Sequence, residues 1–136
     1  MASTLRLPAA LDRLDQCREF VVGCAREAGL PDADTGKLEL VLEELLVNVI
    51  SHAYPDGPGE VELHCRTGEG GFLLDIRDQG APFDPLAASG PDLDAGVDER
   101  PIGGLGIFFV RQMADGLAYR REGDANVLTV RFALPA

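Results

Sequence analysis

The stretch LELVLEELLVNVISHAYP, residues 38–55, carries a helical apolar side together with an acid and an amide one turn apart on another face. Leu38, Val41, Leu42, Leu45, Leu46, Val49 and Ile50 recur at helical spacing, which predicts a helix from about Asp34 to Ala53. Glu44 and Asn48 are neighbours on that helix and lie clear of the apolar arc. A carboxylate beside a neutral amide oxygen suits a hard, water-keeping cation such as Mg²⁺, with Asn48 as ligand and Glu44 as proton acceptor or water orienter. The same pair also reads as an ordinary solvated helix face.

Upstream, residues 3–7 predict a short strand, and Leu11, Leu14, Cys17, Val21, Cys24 and Ala28 space a helix over 9–28. Gly29 and Pro31 stop it. Downstream, Val61, Leu63 and Cys65 alternate, as do Phe72, Leu74 and Ile76, and the glycine-rich turn at 68–71 joins them as an antiparallel hairpin. Residues 79–103 are loop-like, rich in Pro, Gly and Asp, and their later part, 85–102, is expected to form a mobile lid. A third helix is predicted from near Leu105 to Gly116, followed by a closing hairpin of 117–122 and 126–134. Helices first, then strands with one late helix, argue for an α+β fold. The expected form is a two-layer α/β sandwich with an antiparallel-rich mixed sheet and helices on one face.

The chain of 136 residues is long enough for one domain, 1–136, with a core that needs no disulfides. Twelve Lys plus Arg against 23 Asp plus Glu leave a net charge of -11, so the overall field repels nucleic acid and anionic membranes. An anionic ligand must therefore be held locally. Lys37 is the only lysine, which leaves backbone N–H groups, a metal ion or an arginine for that task. Cys17, Cys24 and Cys65 form no C-x-x-C pair and read as core thiols. Without a signal pattern or a membrane-length apolar run, the expected location is the cytoplasm.

Two further stretches carry candidate chemistry. In FLLDIRDQG, residues 72–80, the apolar alternation continues in phase to Asp78, which places a carboxylate on the core side of the strand just before Gly80. Such a carboxylate needs a donor, and the exocyclic amine of adenine is one; capping its own turn is the other reading. Gly103-Gly104-Leu105-Gly106 runs straight into a helical pattern, so free N–H groups at a helix start can face an anion, or the glycines simply make a turn. Neither known phosphate loop fits. Thr35-Gly36-Lys37-Leu38 lacks the earlier glycine and the Ser or Thr of a P-loop, and Phe109 stands where a dinucleotide fingerprint requires its third glycine.

Taken in order, these stretches resemble the GHKL ATPases. Glu44 to Asn48 with Ser51-His52-Ala53-Tyr54 is similar to their N box, Asp78-Gln79-Gly80 to their adenine-binding box, and Gly104-Leu105-Gly106 to their phosphate-lid glycine box. The NVISHAYP ending and the DQGAPFDP segment are most similar to the stand-alone anti-sigma-factor serine kinases. The resemblance implies ATP and Mg²⁺ as cofactors, Asn48 on the metal, Glu44 as base, Asp78 and Gly80 at adenine, and Gly104, Leu105 and Gly106 beside the phosphates. It also implies that Thr129 supports the adenine site, that a STAS-type anti-anti-sigma protein is the phosphoacceptor, that a sigma factor is a second partner, and that the chain is a homodimer. Pro82 departs from the pattern, standing where many members have a second glycine. A nucleotide-responsive binding module without phosphotransfer is the alternative.

Overall fold

The computed structural model describes residues 2–54, 57–87 and 104–135. In chain order these form β1 (Ala2–Pro8), α1 (Leu14–Ala28), α2 (Asp32–His52), β2 (Glu60–Gly68), β3 (Gly71–Asp78), α3 (Gly104–Met113), β4 (Gly116–Glu122) and β5 (Ala125–Ala133). Single 3₁₀ turns stand at Leu11–Arg13 and Pro85–Ala87. The first of them takes up the start of the helix expected over 9–28, and Leu11 is accordingly exposed.

The strands order as β1-β2-β3-β5-β4. Every pairing is antiparallel, where a mixed sheet was expected. The topology explains the difference: β3 and β4 run in the same sense, but β5 lies between them and opposes both. The turn of the β2–β3 hairpin has positive φ at Glu69 (54°) and Gly70 (72°), the two-residue geometry that matches strand twist. No helix among the described residues is long and apolar enough to cross a membrane.

One sheet face packs on the helices. Leu63, Phe72, Leu74, Ile76, Val130 and Phe132 meet Val21, Leu38, Val41, Leu42 and Leu45 in a continuous core. Each such side chain contributes roughly 1.5–3 kcal/mol by leaving water. The α1–α2 corner is set by Gly29, whose φ of 98° lets the chain reverse and lets Leu30 N–H donate to Ala25 O at 3.0 Å. Burial pushes the Cys17 and Cys65 thiols up, the latter helped by the neighbouring Cys24, so these free cysteines behave as apolar core.

The opposite sheet face carries a polar lattice. Arg6 pairs with Glu62 at 2.6 Å, Arg66 with Asp75 at 3.2 Å, and Glu122 with both Arg120 at 2.9 Å and Arg77 at 3.1 Å. Most of these pairs are solvated and add little stability individually.

Candidate functional site

On α2, Leu38, Val41, Leu42 and Leu45 turn inward, which leaves Glu44 exposed and Asn48 half-buried on the neighbouring face. Asn48 lines a solvent-open pocket together with His52, Ile76 and Asp78 and with Asn126 and Leu128 from β5. The walls are chiefly apolar. Such a pocket with a few directed polar groups suits a flat heteroaromatic ligand.

Asp78 is 6% exposed at the end of β3. Its Oδ1 accepts from Gly80 N–H at 2.9 Å and from Asn126 Nδ2 at 3.0 Å, so it does cap its own turn. Oδ2 receives no donor among the described residues. A buried carboxylate oxygen without a donor is costly, and an amine entering the pocket would supply one. Turn capping therefore occupies one oxygen of the side chain and leaves the other without a donor among the described residues.

Gly80 lies against the end of α2, where a Cβ would stand 2.7 Å from Ala53 Cα. Only glycine fits there without moving backbone. Tyr54 completes the junction: its hydroxyl donates to Glu60 O at 2.6 Å and accepts from Gln79 N–H at 2.8 Å. Pro82 falls within a loop held at both sides, since Asn126 Nδ2 donates to Ala81 O at 2.9 Å and Phe83 N–H donates to Asn126 Oδ1 at 3.2 Å. Its missing N–H leaves nothing unpaired in that arrangement.

Gly104, Leu105 and Gly106 open α3 at its N-terminus. A Cβ on Gly106 would overlap the Glu44 carboxylate, which places the first turn of α3 directly on the acid of α2. The proposed lid, 85–102, lies outside the described residues except for the Pro85–Ala87 turn.

Thr129 is placed elsewhere. In the β3–β5 register it pairs with Asp75, on the sheet face opposite Asp78, and its hydroxyl donates to Asp75 Oδ1 at 2.6 Å. The β5 residue opposite Asp78 is Asn126, which sequence reasoning passed over. Asn126 is 6% exposed, and its Oδ1 also accepts from Tyr119 at 2.6 Å and Arg121 at 3.3 Å. A signal was present: Asn126 is in phase with Leu128, Val130 and Phe132, just as Asp78 is in phase with Ile76, Leu74 and Phe72.

Asn126→Ala should strand Asp78, Ala81 and Phe83 polar groups together. We expect a loss of about 2–4 kcal/mol in denaturant unfolding, more than one ordinary hydrogen bond contributes. A loss below about 0.5 kcal/mol would mean that water replaces the amide at no cost.

Residues 7–132 match the family model described as histidine kinase-like ATPase domain. The chain is similar to the serine/threonine-protein kinase BtrW of Bordetella bronchiseptica, 35% identical over 94 residues that cover 68% of this chain and 66% of that protein, just under two thirds of its length. It is also similar to the serine-protein kinase RsbW of Bacillus cereus, 23% identical over 132 residues covering 94% of this chain and 82% of the relative. RsbW of Bacillus anthracis matches to the same extent. With its N-terminal helices, its Asp78 pocket and its glycine-opened α3 in one continuous match, the chain belongs to the histidine kinase-like ATPase domain family.

Proposed function

We propose that this protein is an ATP-dependent serine/threonine kinase and anti-sigma regulator, which phosphorylates a STAS-type anti-anti-sigma protein and otherwise holds a sigma factor. The observation that carries the reading is the buried Asp78 carboxylate, with one oxygen committed to the turn and the other without a described donor, in a pocket whose α2 wall includes Asn48, one helical turn from Glu44. Asp78 reads the adenine amine, and Gly80 lets the backbone approach the base. The similarity to BtrW and RsbW, both named as protein kinases, supports phosphotransfer to a protein.

Asn48 would supply an oxygen to Mg²⁺, whose bound charge would offset that of the phosphates near Glu44. Gly104, Leu105 and Gly106 present the start of α3 to the phosphates, where backbone N–H groups favour negative charge. Glu44 takes the proton of the acceptor hydroxyl as its oxygen bonds to the γ-phosphorus and the bond to the ADP oxygen breaks. Water must be kept out during that step, and the segment 85–102 is the proposed lid for it. The test is incubation with labelled ATP, Mg²⁺ and purified STAS-type proteins from the same genome, with mapping of the labelled residue. Labelled Ser or Thr on an acceptor is the expected result; tight, ATP-dependent binding without label would establish a switch without chemistry.

Asp78→Asn separates the two ends of the ligand. It should weaken ATP by about 1.5–3 kcal/mol, the worth of one charged hydrogen bond, and leave inorganic triphosphate nearly unaffected. Calorimetric titration of both ligands checks it, and equal losses would confine Asp78 to its turn.

A further inference from the structure

Leu40, Glu44 and Asn48 follow one another at single-turn intervals along α2, on one line of the helix surface. Asn48 belongs to the Asp78 pocket, whereas Glu44 lines a separate groove between α2 and α3. Val41 and Val110 form its buried floor. Leu40 and Phe109 stand on its rim at 53% and 49% exposure, unusually open for large apolar side chains that face each other across a cleft. Glu43 and Glu44 make the rim acidic, and neither has an ion-pair partner among the described residues.

We infer that this groove docks the hydroxyl-bearing segment of the acceptor protein, an apolar side chain entering between Leu40 and Phe109 and a cationic one meeting Glu43. The inference rests on the kinase reading for the identity of the occupant. If the nucleotide fills the Asn48 side of Glu44, an acceptor hydroxyl reaches the carboxylate from the other side, and the chain bearing it must lie over Leu40. One helical turn spans about 5–6 Å and an extended chain advances about 3.3 Å per residue, so the apolar anchor sits about two residues from the phosphorylated Ser or Thr. Charge complementarity selects the flank: a segment with its own Asp or Glu at that place would be repelled by Glu43 and Glu44.

The test uses the full chain with two groove variants, Leu40→Gln with Phe109→Gln, and separately Glu43→Lys. All three positions are exposed, and the ATP-induced rise in melting temperature serves as the control for fold and nucleotide pocket. Purified STAS-type proteins from the same genome are titrated against each form in the presence of a non-hydrolysable ATP analogue, and KM and kcat are measured with ATP. We expect acceptor Kd and KM to rise at least about 10-fold, as for loss of a buried apolar anchor, with kcat and the ATP shift unchanged. Affinity unchanged in both variants overturns the proposal. So does a variant that alters sedimentation of the chain alone while binding acceptor normally, which would assign the groove to a second copy. If the wild type grips an acceptor but transfers no phosphate, the kinase reading fails while the affinity comparison still decides the groove. If it grips none, both fail.

Discussion

Glu44→Gln is expected to bind Mg-ATP nearly as well as the wild type while phosphotransfer falls by about 10²–10⁴-fold, the usual worth of general base catalysis. The substitution keeps side-chain size and helix propensity, so α2 and its buried face should be undisturbed. Glu44 is exposed, and no structural bond of the fold depends on its charge among the described residues. Asn48→Ala provides the contrast. It removes the proposed metal oxygen, so Mg²⁺-dependent ATP binding and transfer should decline together. The two mutants are measured side by side for nucleotide affinity and for single-turnover transfer to a confirmed acceptor. A Glu44→Gln protein that transfers at the wild-type rate is incompatible with Glu44 as the base.

Gly106→Ala should cost about 10²-fold in transfer, although it adds a single methyl group. The new Cβ would overlap the Glu44 carboxylate, which is the far end of a flexible side chain and yields more readily than backbone. The fold should therefore survive with its carboxylate displaced, and a misplacement of about 1 Å at a reacting centre is enough for a loss of that size. Combining the substitution with Glu44→Gln distinguishes displacement from damage to the phosphate site. If displacement is the cause, the double mutant transfers no worse than Glu44→Gln alone. Multiplicative losses would mean that Gly106 acts through the start of α3 instead.

Most of the fold was legible because its signals are local. Apolar spacing located both long helices, alternation located β2 and β3, and positive φ, which favours glycine, occurs at the turn positions Gly29, Glu69, Gly70 and Gly123, three of the four being glycine. The burial of Asp78 was legible from phase alone, and so was the placement of Glu44 and Asn48 one turn apart on α2. What escaped depends on pairings between distant segments. Asn126 meets Asp78 only because β5 enters the sheet beside β3, whereas Thr129 takes the other face through the alternation within β5 itself. Nothing in either segment states that neighbourhood, and a one-residue change of register would exchange the two faces. Tyr54 and Arg121 escaped likewise, since their partners, Gln79 N–H and Gly80 O, are backbone groups that sequence does not distinguish.

The insertion of β5 between β3 and β4 also sets an order of events during synthesis. β3 is nearly all buried in the finished sheet, yet every residue up to 124 must be made before the strand that covers its open edge begins. Until then an apolar strand with unpaired N–H and C=O groups is a template for other nascent chains, and aggregation competes with folding at this stage. Because β5 also brings Asn126 to the Asp78 pocket, the pocket is assembled by the same late step. On the proposed reading, in which this pocket holds the nucleotide, the ligand should protect only chains in which the late strand has docked, and adding it to a refolding mixture should raise the stability of the product without rescuing the precursors that clump.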